Sequence, residues 1–262
     1  PHYIYEEIDG AFPNHEPNPL IQANVKDLKK AVKAKSADAG IIFDGDGDRV
    51  MFVDEKGEFI SPDLLIALLG HYFLEEKGQK GKVLQDIRTS RSVKSYLENM
   101  GGDVHMWRVG RAYAALKLRE IDGIFGGELA GHYYFRDFFY SDSGLLAAIL
   151  IMRILKQKKA DGYTFSQLIE KIKTFESSGE INFKIENKQD AINAVVDHFK
   201  NEEQPQSVYD FDGYRIEYPD WWFNIRPSNT EPYLRLLVEA KSTELLDKKT
   251  HKIKALLEPF EA

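Results

Sequence analysis

Cysteine is absent from the 262 residues, so neither a disulfide framework nor a thiolate metal site is open to this chain. A thiol-free composition suits a reducing compartment and points to the cytoplasm. Long hydrophobic runs are also missing. The longest, Gly144 to Met152, is ended by Arg153, well short of the ~20 apolar residues that a membrane-spanning helix needs. No basic, apolar, small-residue leader opens the sequence, so neither a membrane nor a secreted role is expected. Positive charge is scarce as well. Lys and Arg number 35 against 42 Asp and Glu, a net charge of −7, which is the opposite of the basic face that nucleic-acid binding asks for. An anionic small molecule is not excluded, because a few well-aimed arginines suffice for it.

What is present is enough to fold. Hydrophobic residues at 43% and charged residues at 29% give a core supply that disordered chains lack. Three stretches can be separated. Residues 1–58 open with a Pro-, Asn- and acid-rich tract to Leu20, then a helical pattern from Ala23 to Ala34, strands at Ala39 to Phe43 and Val50 to Val53, and a closing Gly57. In residues 59–172, Ser61-Pro62 reads as a helix start, and Leu64, Leu65, Leu68, Leu69, Tyr72 and Phe73 follow at helical spacing. Strands at Lys82 to Gln85, Val104 to Trp107 and Gly123 to Phe125 alternate with helices at Ser92 to Met100 and Arg111 to Arg119, and an apolar helix runs from Ser143 to Lys156. That alternation predicts a three-layer α/β domain with a mixed sheet whose pairing is mostly parallel. Residues 173–262 change texture. Strands at Ile181 to Ile185, Val208 to Phe211, Tyr214 to Tyr218, Trp221 to Ile225 and Tyr233 to Ala240, with helices at Asp190 to Phe199 and Leu245 to Leu257, predict a smaller α+β C-terminal domain.

The most telling segment is Asp44-Gly45-Asp46-Gly47-Asp48-Arg49, set between two apolar strands. Three carboxylates this close repel one another unless something neutralises them. The glycines let the backbone turn so that all three face one point, and a divalent cation such as magnesium resolves the charge. An EF-hand calcium loop would also use Glu55 at its twelfth position, but Arg49 stands at the sixth, where the turn wants Gly, and the flanks read as strands. An aspartyl-nucleophile loop of the haloacid-dehalogenase type would need Gly-Thr where Gly47-Asp48 stands.

Two further constellations follow. Gly126-Gly127-Glu128-Leu129-Ala130-Gly131-His132 is an irregular loop after a strand; Glu128 can accept from sugar hydroxyls and His132 can carry a proton near neutral pH. Arg226-Pro227-Ser228-Asn229-Thr230-Glu231-Pro232 offers a guanidinium, two hydroxyls and an amide between stiffening prolines, a set suited to phosphate. Arg235 alternates with Leu234 and Leu236 and is expected on the same side. Arg88 and Arg111 lie at strand-to-helix junctions, where ligands of α/β sheets bind.

In order and spacing these three constellations resemble the α-D-phosphohexomutase superfamily, which includes phosphomannomutase, phosphoglucomutase and phosphoglucosamine mutase. Asp44 to Arg49 is similar to that family's metal loop, Gly127 to His132 to its sugar-recognition loop, and Arg226 to Pro232 to its phosphate-binding loop. Phe12-Pro13 and Pro17-Asn18-Pro19-Leu20 also look like the stretch upstream of the metal loop. The family fold has four domains around a cleft. The resemblance implies that residues 1–58 end the second domain, 59–172 form the third and 173–262 the fourth, and that the N-terminal domains of the same chain are missing. With them goes the phosphorylated serine in its Ser-His-Asn-Pro loop, a motif not found here, so these residues alone are expected to be inactive.

The implied chemistry is interconversion of hexose 6-phosphate and hexose 1-phosphate through a phosphoserine and a bisphosphate. Mg2+ is the implied cofactor on Asp44, Asp46 and Asp48, with Arg49 and His132 catalytic. Glu128, Arg88, Arg111, Arg226, Ser228, Asn229, Thr230 and Arg235 are implied on the phosphorylated hexose, with the fourth domain closing over the cleft. Ala130 replaces the family's usual Ser, Arg111 stands where some members have His, and Arg88 where some have Lys. A non-catalytic calcium- or sugar-phosphate-binding module and an aspartyl-phosphate phosphatase are the alternatives.

Overall fold

Lys26–Lys35 (α1) follows a 3₁₀ turn at Gln22–Val25 and ends at Ser36, which takes the left-handed conformation that closes many helices. Branched and aromatic residues favour extended backbone in Ala39–Phe43 (β1) and Val50–Asp54 (β2). The six residues between them reverse the chain, so that Phe43 pairs with Val50 and Ala39 with Asp54. Phe59–Ile60 (β3) completes a three-stranded antiparallel sheet. Val25, Val32 and Val53 form the small core beneath α1. This computed structural model describes residues 1–228 and 232–261, which divide into two compact units, Pro1–Lys173 and Thr174–Ala262.

Leu64–Gly70 (α2) is buried along its whole length and runs on into a π-helical turn, His71–Glu76. Ser61 does not cap it, contrary to expectation. Its hydroxyl donates to the Asp63 carboxylate, and Asp63 takes the cap position with no side-chain hydrogen bond to the helix.

The rest of the first unit alternates as expected: Lys82–Asp86 (β4), Arg91–Asn99 (α3), Asp103–Trp107 (β5), Arg111–Glu120 (α4) and Phe125–Gly127 (β6). Two short strands then intervene, Tyr133–Phe135 (β7) and Ser141–Asp142 (β8), before the helices Gly144–Ala160 (α5) and Phe165–Ile172 (α6). The sheet order is β5-β4-β6-β7-β8. Only β4–β5 and β4–β6 are parallel; β6, β7 and β8 meander antiparallel. Mostly parallel pairing is therefore corrected to an even mixture, because the chain turns back at residues 128–132 instead of crossing over through another helix.

One face of this sheet packs Val83 and Phe125 against Leu65 and Leu68 of α2, Val93 and Leu97 of α3, Ile151 of α5 and Leu168 of α6. The other packs Leu84 and Tyr134 against Ala114 and Leu118 of α4. Helix, sheet and helix thus make three layers, and burying each large apolar side chain contributes roughly 1.5–3 kcal/mol.

In the second unit, Glu176–Lys184 (β9), Ser207–Tyr209 (β10), Tyr214–Glu217 (β11), Trp221–Pro227 (β12) and Tyr233–Ala240 (β13) form an antiparallel sheet in the order β10-β11-β12-β13-β9. Lys188–Glu202 (α7) and Thr243–Leu257 (α8) cover its apolar face, where Phe223, Ile225, Leu236 and Val238 meet Val195, Phe199, Ile253 and Leu257. Alternate residues carry charge on the opposite face. The Arg215 guanidinium lies 3.6 Å over the Trp222 ring and its Nε donates to Glu217 at 2.7 Å, while Trp222 Nε1 donates to Glu239 at 2.8 Å.

Candidate functional site

Asp44 shapes the loop between β1 and β2. Its Oδ1 accepts the backbone N–H groups of Gly47 and Arg49, both at 3.1 Å, and its Oδ2 accepts Arg49 Nε at 2.6 Å. Gly47 sits at φ +76°, a left-handed conformation that a side chain resists. The turn gathers the Asp44, Asp46 and Asp48 carboxylates, with one oxygen from each lying within 4.8 Å of the others. Among the described residues Asp46 is exposed and accepts no hydrogen bond.

The loop is fixed from the far side. Val50 N–H donates to the Gly131 carbonyl at 3.1 Å. The first residue of α5, Gly144, lies so close that an added Cβ would meet Gly47 O at 2.7 Å. These contacts bring His132 to the acidic loop, with Nδ1 3.8 Å from Asp48 and 2.8 Å from Asp142 Oδ2. Arg111, at the start of α4, donates Nε to both Asp142 oxygens at 2.8 Å and stands 3.7 Å from Asp48.

The charges are uneven. Partial burial works against ionised Asp44, but the Arg49 side chain and backbone outweigh it and hold the carboxyl below the usual range. Asp48 is pushed up, first by burial and then by its neighbours Asp44, Asp46 and Asp142, with His132 opposing. Asp142 is held low because hydrogen bonds from His132 and Arg111 overcome its burial.

An all-oxygen set of three carboxylates suits a hard divalent cation. Asp48, His132 and Asp142 also come within 4.8 Å of one another, but both oxygens of Asp142 already take Arg111, and one of them takes His132 as well. The aspartate trio is thus the better cation cradle. Glu55 is no ligand of a calcium loop, since its carboxylate accepts the N–H and hydroxyl of Ser166 at the start of α6. Asp44 is poorly placed as a nucleophile, with both oxygens held by its own loop.

Glu128 and Arg88 lie in an adjoining cluster around Asp86. Glu128 is 2% exposed; it accepts Gly110 N–H at 2.7 Å and Tyr134 OH at 2.6 Å. Burial and then Asp86 push its carboxyl up. Arg88 Nη2 donates to Asp86 at 2.8 Å, and Leu129 N–H donates to the same oxygen at 2.9 Å. Sequence reading missed Asp86, Tyr134 and Asp142. Asp142 had one signal, an acid just before the Ser143 cap of α5.

In the second unit, Arg226 and Arg235 are directly opposite on β12 and β13, a pairing of like charges that is unfavourable without anions nearby. Arg226 pairs with Asp212 at 3.3 Å and Arg235 with Glu180 at 3.0 Å. Ser228 N–H donates to Tyr233 O at 2.8 Å, closing the base of the connecting loop. Asn229 and Thr230 lie outside the described residues.

Family models described as phosphoglucomutase/phosphomannomutase match almost the whole chain: alpha/beta/alpha domain II over residues 3–57, alpha/beta/alpha domain III over 61–175 and the C-terminal domain over 180–256. The chain belongs to the phosphoglucomutase/phosphomannomutase family. The family and the mixed α/β fold expected from sequence are both borne out. The chain is 36% identical over 260 residues to a phosphomannomutase of Methanocaldococcus jannaschii, covering 99% of this chain and 56% of that one. To a phosphomannomutase of Escherichia coli K12 it is 38% identical over 256 residues, covering 97% and 55%. A solved phosphoglucomutase/phosphomannomutase family protein from Burkholderia thailandensis aligns with a TM-score of 0.83 at 30% identity, over 98% of this chain and 54% of that one. The chain therefore spans little more than half the length of these relatives. Among the described residues no helix is long and apolar enough to cross a membrane.

Proposed function

We propose that these residues carry the cation, sugar and phosphate sites of a hexose-phosphate mutase. Residues 1–58 would complete its second domain, 59–172 make its third and 173–262 its fourth. The reaction is the interconversion of hexose 6-phosphate and hexose 1-phosphate, of mannose or glucose, in the cytoplasm. The observation that supports it most is the gathering of the Asp44, Asp46 and Asp48 oxygens within 4.8 Å, with the His132–Asp142 pair alongside.

In this reading Asp44, Asp46 and Asp48 hold Mg2+, which when bound offsets charge on the transferring phosphoryl group. Arg49 keeps Asp44 ionised and steadies phosphoryl oxygens. Asp142 accepts a hydrogen bond from His132 Nδ1–H, which leaves Nε2 to take the proton of the attacking sugar hydroxyl. As that O–P bond forms, the bond from phosphorus to the serine oxygen breaks, giving a sugar bisphosphate. Return of its other phosphate to the serine, with the proton handed back, completes the exchange. Arg226, Arg235, Ser228, Asn229 and Thr230 grip the phosphate that is not reacting, which is catalysis by positioning. Arg88 and Arg111 add cations toward the substrate. Glu128 meets ring hydroxyls once Gly110 yields its hydrogen bond. The phosphoserine and the remaining N-terminal domains belong to the whole protein, so the present residues alone do not turn over.

The test is conversion of mannose 1-phosphate or glucose 1-phosphate to the 6-phosphate by the whole protein with Mg2+. Asp46→Asn should abolish most turnover and weaken Mg2+ binding; near-normal turnover would overturn the assignment. Tight calcium binding without any phosphate would favour a binding module. Phosphosugar hydrolysis by these residues alone, with a trapped aspartyl-phosphate, would favour a phosphatase.

A further inference from the structure

Arg111 joins two acidic groups of unequal freedom. Its anchor, Asp142, has a side chain 1% exposed, whereas the Arg111 side chain is 58% exposed. Nε meets both Asp142 oxygens at 2.8 Å and stops 3.7 Å from Asp48. Among the described residues Arg111 donates to no other acceptor. The other arginine of the site, Arg49, is committed to Asp44 at 2.6 Å. The positive side chain facing Asp48 beside His132 is therefore Arg111, and it does so across a gap too long for a hydrogen bond.

We infer that Arg111, held on Asp142, is a built-in counter-ion of the acidic loop that competes with the divalent cation for Asp48. The inference rests on the cation reading given above. A guanidinium so close to Asp48 partly satisfies it beforehand, and a dication arriving on the same carboxylate meets a like charge that must move or be tolerated. Asp142 keeps it in place, because the Nε–H is shared between both Asp142 oxygens at 2.8 Å without help from Asp48. Cation affinity is thereby kept lower than three carboxylates alone would set it, which suits a site meant to fill together with an anionic phosphoryl group.

The experiment is a titration of the full 262-residue chain with Mn2+, reading free Mn2+ by electron paramagnetic resonance. Arg111→Ala and Arg111→Gln should each tighten Mn2+ binding about five- to tenfold. Arg111→Lys, which keeps the charge, should stay within about twofold of the parent. The gain should shrink as salt is raised. Arg111→Ala and Arg111→Gln binding no tighter than the parent would overturn the proposal. Asp46→Asn separates the two failures. If it weakens Mn2+ binding while the Arg111 variants change nothing, only the counter-ion role falls. If it binds like the parent, the cation reading falls and this role with it.

Discussion

The two units treat charge in opposite ways. In the second, each buried arginine has its acid: Arg215 meets Glu217 at 2.7 Å and Arg226 meets Asp212 at 3.3 Å. In the first, Asp44, Asp46, Asp48 and Asp142 gather around Arg49 and Arg111, and Asp46 is left with no protein donor among the described residues. Matched ions inside a sheet hold a shape. A surplus of one sign at an open turn asks for a counter-ion from outside. Removing a matched charge such as Arg215 should therefore cost stability, and removing a surplus charge such as Asp46 should cost function.

The largest break is expected at Arg215. Arg215→Ala removes the cation that offsets Glu217 and Glu239 and should cost about 3–5 kcal/mol in urea unfolding of the second unit, with Mn2+ affinity unchanged. Next, Asp46→Asn in the whole protein should lower kcat on the order of a hundredfold or more, while unfolding shifts by no more than about 0.5 kcal/mol. If Asp46→Asn destabilised as much as Arg215→Ala, the contrast would collapse. Gly144→Ala sharpens it. Its Cβ would meet Gly47 O at 2.7 Å, so about 1–3 kcal/mol should be lost to overpacking together with weaker cation binding, read by the same titration.

The smallest effect should be at Glu55. Burial opposes its charge, but hydrogen bonds from Ser166 and Thr164 prevail and hold its carboxyl below the ordinary 4.5. A group lowered in the folded state stabilises above its unfolded value and loses that contribution as pH falls through the folded one. Glu55→Gln should cost about 1 kcal/mol at neutral pH, and the difference should fade below about pH 4.5 in unfolding followed against pH.

Much of this was legible in the chain. Long apolar periods gave α2 and α5, and the flanking apolar runs placed the aspartate loop between two strands. The strands β3, β7 and β8 were not visible, because two or three residues are too few to establish an alternation. Helix α6 was missed although its Thr164 and Gln167 form a capping box. The convergence of Asp44, Asp46 and Asp48 was readable from spacing, since neighbours on a glycine-rich turn have few ways to diverge. The partners of Glu128 were not. Tyr134 reaches it through the β6–β7 hairpin and Gly110 through the fold of the sheet, and neither is encoded by local pattern.

The hydrogen bond from Val50 to the Gly131 carbonyl bears on how such proteins could be recombined. It stitches the aspartate hairpin to a segment that a separate family model matches, so a gene-fusion breakpoint near residue 58 would tear one working surface in two. A crossover placed at Lys173, where the compact units part, would pass that surface on whole, and libraries of shuffled relatives should keep their function most often when they join there.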